Sequence, residues 1–153
     1  MAILRRVVKR LAVYGLLLGC CLLPGGCGDE KALPTEPGSG PGPSLLATYT
    51  RVQDEVFTPK CALSGCHLGP ASLAQEGMVL SSGVAYDNVV MVRANQNSSI
   101  FRVTPGDPQN SYLWRKITPG QQIIGDRMPQ TGSITEAERQ LVTDWILRGA
   151  PRD

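Results

Sequence analysis

Residues Lys60 to Gly69 read KCALSGCHLG, and this stretch holds the only histidine in the chain. Cys61 and Cys66 lead into it, and His67 follows the second cysteine directly. Any fold must present these three side chains from one short loop. If both sulfurs are to face the same object, the spacer "ALSG" has to bulge outward. Ser64 and Gly65 suit such a bulge, since serine favours turns and glycine reaches backbone conformations closed to other residues.

Two thiols and an imidazole in this order are open to several chemistries. A Cys61–Cys66 disulfide closing a small loop is allowed in an exported chain. Structural zinc usually takes four protein ligands, and the sequence offers no second histidine. A reactive thiol pair finds no basic partner beyond His67. Covalent haem needs two thiols to add across two vinyl groups and an adjacent imidazole to reach the iron. Its usual pattern is C-x-x-C-H, whereas here four residues separate the cysteines. Haem and disulfide both stay open on the motif alone.

A second axial ligand must come from elsewhere. With one histidine, two-histidine ligation within the chain is excluded, and methionine is the alternative, one that raises the potential. Met78 and Met91 sit in apolar runs and read as packing residues. Met128 lies in IGDRMPQTG, a polar, turn-rich loop that gives packing no reason to place a methionine there.

The N-terminus is basic, with Arg5, Arg6, Lys9 and Arg10, followed by an apolar run from Leu11 to Leu23. The run is shorter than the about 20 residues a spanning helix needs, so it reads as an export signal. It ends in cysteines and resembles a bacterial lipoprotein signal. Cys27 is the preferred lipidation site and Cys20 the alternative. Residues 1–26 are then the signal and 27–44 a Pro/Gly/Ser-rich tether too poor in apolar side chains to fold. The expected location is the cell envelope, lipid-anchored to a membrane surface and facing the periplasm. The formal net charge of +2 comes from this leader, which leaves no basic patch for nucleic acid.

Residues 45–153 are expected to form one all-α domain with long loops. Leu45, Tyr49, Val52 and Val56 follow helical spacing, with Ser44 as cap and Pro59 as stop. Asp107 and Pro108 open a shorter helix carrying Leu113, Trp114 and Ile117. Thr135 and Glu138 form a capping box ahead of the stripe Leu141, Val142, Trp145 and Ile146. Gly149 then ends the helix and Pro151 lies beyond it. Short strands are expected near Met78–Ser81 and Val89–Val92.

Taken together, VFTPKCALSGCH, RVTPGDPQNSYLWRKI, DRMP and LVTDWILRGAP resemble the class I cytochrome c fold, over about Thr48 to Pro151. The likeness is to the cytochrome c-like domains of exported bacterial proteins. It implies one covalent haem c bound through Cys61 and Cys66, with His67 as proximal and Met128 as distal ligand. It also implies that Trp145 packs against the first helix near Tyr49 or Val52. The expected role is electron transfer to an unidentified redox partner protein, not catalysis. Arg102, Arg115 and Arg127 are candidates for meeting haem propionates. The alternatives are a haem-free exported module with a Cys61–Cys66 disulfide, and a haem enzyme or sensor with an open iron site.

Overall fold

The first helix begins at the residue best able to cap it. In the computed structural model, which describes residues 42–153, α1 spans Tyr49–Val52. The Thr48 hydroxyl accepts the Arg51 amide at 3.2 Å. Two further amide donors of the first turn go to the far end of the chain. Tyr49 N donates to Asp153 Oδ1 at 2.7 Å and Thr50 N to the Asp153 carbonyl at 3.0 Å. Ser44 is therefore not the cap; it organises a separate turn, accepting the amides of Leu46 and Ala47. Leu45, 81% exposed, drops out of the apolar face, whereas Val52 and Val56 are buried in it. The signal 1–26, Cys20, Cys27 and most of the tether fall outside the described residues.

Pro59 does not stop this helix. The winding continues from Gln53 to Cys61 as a π-helix, ending where Ala62 N donates to the Phe57 carbonyl at 2.7 Å. A proline crowds the carbonyl four residues back in an α-helix. The wider π winding, with bonds five residues apart, relieves that contact and delivers Cys61 at the helix end.

The middle of the chain is mostly irregular. A short 3₁₀ turn at Gln75–Gly77 precedes α2, Ala85–Val89. Of the expected strands, Met78–Ser81 forms no bridge, and Val89–Val92 gives only the isolated bridge Val90 to Val103, with further single bridges at Arg93 to Phe101 and Phe101 to Ser111. Among the described residues no strand forms, because the bridged segments pair at single points before turning away. Helix α3 is Tyr112–Ile117, preceded by Ser111. Asp107 acts ahead of it, accepting the Asn110 amide at 3.0 Å in a side-chain-closed turn.

Helix α4, Glu136–Leu147, follows its sequence signals closely. Thr135 and Glu138 make the full capping box. At the other end Gly149 N donates to Ile146 O and Ala150 N to Trp145 O, each at 2.9 Å. These two bonds are the Schellman pair, and Gly149 takes the left-handed φ of 92° they require. Trp145 is fully buried. Its ring lies 5.8 Å from Tyr49 and 6.4 Å edge-on from Phe57, and its Nε1 donates to the Pro151 carbonyl at 2.9 Å. The first and last helices thus share one aromatic centre. Among the described residues no helix is long and apolar enough to cross a membrane.

Two substitutions weigh these contacts. Trp145→Ala is expected to cost about 3–5 kcal/mol, the usual loss for emptying a buried aromatic site. Thr135→Ala is expected to cost about 1 kcal/mol, the value of a helix cap. Urea unfolding followed by circular dichroism measures both.

Candidate functional site

The "ALSG" spacer turns out to be a closed, outward bulge. Leu63, Ser64 and Gly65 are exposed, and Cys66 N donates to the Leu63 carbonyl at 2.9 Å. Gly65 takes φ 77°, and nothing stands within 4 Å of where a Cβ would be. The bulge is drawn shut at its base, where His67 N donates to the Cys61 carbonyl at 3.2 Å. The two extra residues are spent on solvent-facing chain, and the motif's two ends stay together. Cys61 and Cys66 are both free thiols.

His67 is buried, 7% exposed. Its Nδ1 lies 2.9 Å from the Met78 carbonyl. A carbonyl only accepts, so Nδ1 carries a proton, and in the neutral ring this leaves the Nε2 lone pair free, the state a metal-binding imidazole needs. Burial pushes the His67 pKa down, which favours the neutral ring, and the carbonyls of Met78 and Gln75 oppose it in part. Leu80 N donates to the His67 carbonyl at 2.8 Å, so the 78–80 segment grips the histidine by side chain and backbone together.

Burial also acts on Cys61. Its thiol is pushed up to about 12, by desolvation first and then by Cys66 and Glu138, against the pull of Lys60. Lys60 Nζ in turn reaches Glu138 Oε1 at 3.3 Å, while Oε2 of the same carboxylate accepts the Thr135 amide at 2.7 Å. Desolvation works to raise Glu138, but the Thr135 and Lys60 hydrogen bonds outweigh it and hold the carboxyl below its ordinary range. The cap of α4 is therefore fastened to the residue just before Cys61.

Cys61, Cys66, His67 and Met128 all line one cavity of about 390 Å³. That volume is within the roughly 300–1,000 Å³ of small-molecule and cofactor sites. Its apolar wall includes Val56, Phe57, Leu80, Leu113 and Ile117. Met128 packs against the core while lining this space. Met78 lines it too, although its carbonyl lies at the Nδ1 edge of the imidazole. Met91 is not a packing residue: it is 54% exposed. Of the three arginines expected near the site, only Arg102 lines the cavity. It is buried, and donates to the carbonyls of Asn88 at 2.8 Å and Glu76 at 3.0 Å. Arg115 turns to Gln109 O and Asn110, and Arg127 to the carbonyls of Thr118 and Arg115.

Lys116 and Tyr112, not foreseen from the sequence, also line the cavity. Both lie on α3 one helical turn apart, where the side chain of a lysine is ordinarily solvated. Lys116 is instead 7% exposed. Among the described residues no cluster of three or more histidine, cysteine or acidic side chains comes together to hold a bare ion. The donor set here is different in kind: two uncommitted thiols, one neutral imidazole and one thioether around a largely apolar space. Such a set fits a flat organic cofactor with a metal at its centre better than an ion alone. No model of a known protein family matches the chain, and no curated protein or solved structure matches it either.

The raised Cys61 pKa gives a direct test. In the folded protein at pH 8, burial keeps Cys61 almost wholly as the thiol, and only thiolate reacts. Iodoacetamide labelling read by mass spectrometry is expected to be at least about a hundred-fold slower at Cys61 before denaturation than after it.

Proposed function

We propose that this protein is a monohaem c-type cytochrome that carries electrons, with its folded part a cytochrome c-like domain. The observation that carries the reading is the convergence of Cys61, Cys66, His67 and Met128 on one cavity. Cys61 and Cys66 would hold a haem through thioether bonds, and His67 and Met128 would offer a nitrogen and a sulfur to its iron. Haem bound there would supply one-electron redox chemistry.

The chain's own contribution is to prepare the ligands and keep water away. The Met78 carbonyl fixes the imidazole's tautomer and orientation and raises its basicity as a ligand. The buried side chains of Val56, Phe57 and Leu80 form an apolar wall, and low polarity around a redox centre is one of the levers on its potential. His67 and Met128 both line the cavity, and a metal held by both would be left little room to bind a substrate, which favours electron transfer over catalysis. Export behind a lipoprotein signal, lipidation at Cys27 (or Cys20) and a flexible tether belong to the same reading. They place the carrier at a membrane surface, facing the periplasm, within reach of a redox partner protein.

The test is a pyridine haemochrome spectrum of the full-length protein, exported in a host with intact haem-maturation factors. The expected result is one haem per chain that stays bound in acid–acetone extraction. Cys61→Ala and Cys66→Ala are each expected to shift the haemochrome band and weaken retention, and His67→Ala to abolish incorporation. Protein recovered without haem, carrying a Cys61–Cys66 disulfide, would overturn the reading. Met128→Ala is expected to lower the midpoint potential measured by redox titration.

A further inference from the structure

The loop that carries Met128 is not held by packing alone. It is wrapped around a buried ammonium. Lys116 Nζ donates to the Ile124 carbonyl at 2.6 Å and to the Asp126 carbonyl at 2.9 Å. The residue between them, Gly125, has φ 69°, and a Cβ built there would stand 3.8 Å from Lys116 Nζ and 3.4 Å from the Gln96 side-chain nitrogen. The backbone thus bends tightly about the ammonium at a position that favours glycine. The main chain of Lys116 holds the other end, its carbonyl accepting the Met128 amide at 2.9 Å.

One helical turn earlier, Tyr112 adds a second tie. Its hydroxyl accepts the Ile124 amide at 2.9 Å and donates to the Ile124 carbonyl at 3.3 Å. Its ring centroid is 5.5 Å from Lys116 Nζ, within range of a cation–π contact. A buried lysine with no carboxylate at its nitrogen is an unusual expense for a protein. Here the ammonium is satisfied by main-chain carbonyls of the one loop whose position decides where a methionine sulfur sits.

We propose that Lys116, assisted by Tyr112, is the positioning residue that holds Met128 at the cavity wall and so maintains its sulfur as the distal ligand. The inference rests on the haem reading above. Lys116 acts through the loop and does not itself touch the reacting atoms.

The test uses the full-length protein and two readouts. The first is amide hydrogen exchange, which needs no haem. Lys116→Met keeps a flexible side chain of similar length without the ammonium. It is expected to accelerate exchange at the bonded amides of Ile124 and Met128 at least ten-fold while leaving α4 as in wild type. The second readout uses haem-loaded protein. Lys116→Met is expected to keep its pyridine haemochrome intensity but to lose the far-red absorption band of methionine-ligated ferric haem, with a fall in midpoint potential. Lys116→Arg is expected to restore both in part. Tyr112→Phe, which removes only the hydroxyl, is expected to shift the same readouts in the same direction by less, and it serves if Lys116→Met does not fold. Unchanged exchange at Met128, or an unchanged methionine band in a loaded Lys116→Met protein, overturns the proposal. Wild-type protein without haem overturns the haem reading instead, and the exchange experiment still decides whether Lys116 holds the loop.

Discussion

Burial of the Trp145 indole is the contact from which the geometry of the cavity follows. It joins the last helix to Tyr49 and Phe57 on the first. Phe57 is at once a wall of the cavity and the residue whose carbonyl closes the π-helical winding on Ala62. Moving the indole therefore moves the end of that winding, and Cys61 with it. The Lys60–Glu138 pair repeats the connection at the surface. It is partly exposed and worth little alone, but it draws the capping box of α4 toward the cysteine loop.

The cavity is assembled from two walls of separate origin. One is the cysteine loop with its histidine, held by the 78–80 segment. The other is α3 with the 124–128 loop it secures. Arg102 joins them. Its side chain donates to Glu76, two residues before the segment that grips His67, and to Asn88 on α2, while its carbonyl accepts the Leu113 amide on α3 at 2.9 Å. A buried guanidinium satisfied by carbonyls is strained electrostatically, and burial lowers its pKa. In return it fixes the relative placement of segments that share little other regular structure. This is how so irregular a stretch as 62–111 can hold a defined position.

Local rules were strong enough to be read wherever they acted within one turn. The capping box at Thr135 and Glu138, the terminal Gly149 and the helical stripe of Trp145 are all decided by neighbours in sequence. The bulge at Ser64 and Gly65 was legible for the same reason. What escaped was set by distant partners. Ser44 was displaced as cap by Thr48 because Asp153 supplies the remaining acceptors from the other end of the chain. Pro59 read as a stop because its cost was reckoned for α-helical winding. Lys116 carries no sequence signal, since only the later fold of residues 124–126 decides whether its ammonium meets water or carbonyls. Arg115 and Arg127 are chemically like Arg102, and only the tertiary arrangement separates the one at the cavity from the others.

The outward spacer has a consequence for how such a site can vary over evolutionary time. Residues 62–65 add length on the solvent side of a loop whose base is pinned by the His67–Cys61 backbone bond, and the π-helical winding absorbs chain in a similar manner just upstream. Added length at the exposed bulge points away from the histidine, whose amide is bonded at the loop base. The number of residues between two cysteines is then a poor measure of the distance the fold sets between their sulfurs. The placement of the cysteines and the histidine is set at the base of the loop, and the spacer beyond it is solvent-facing.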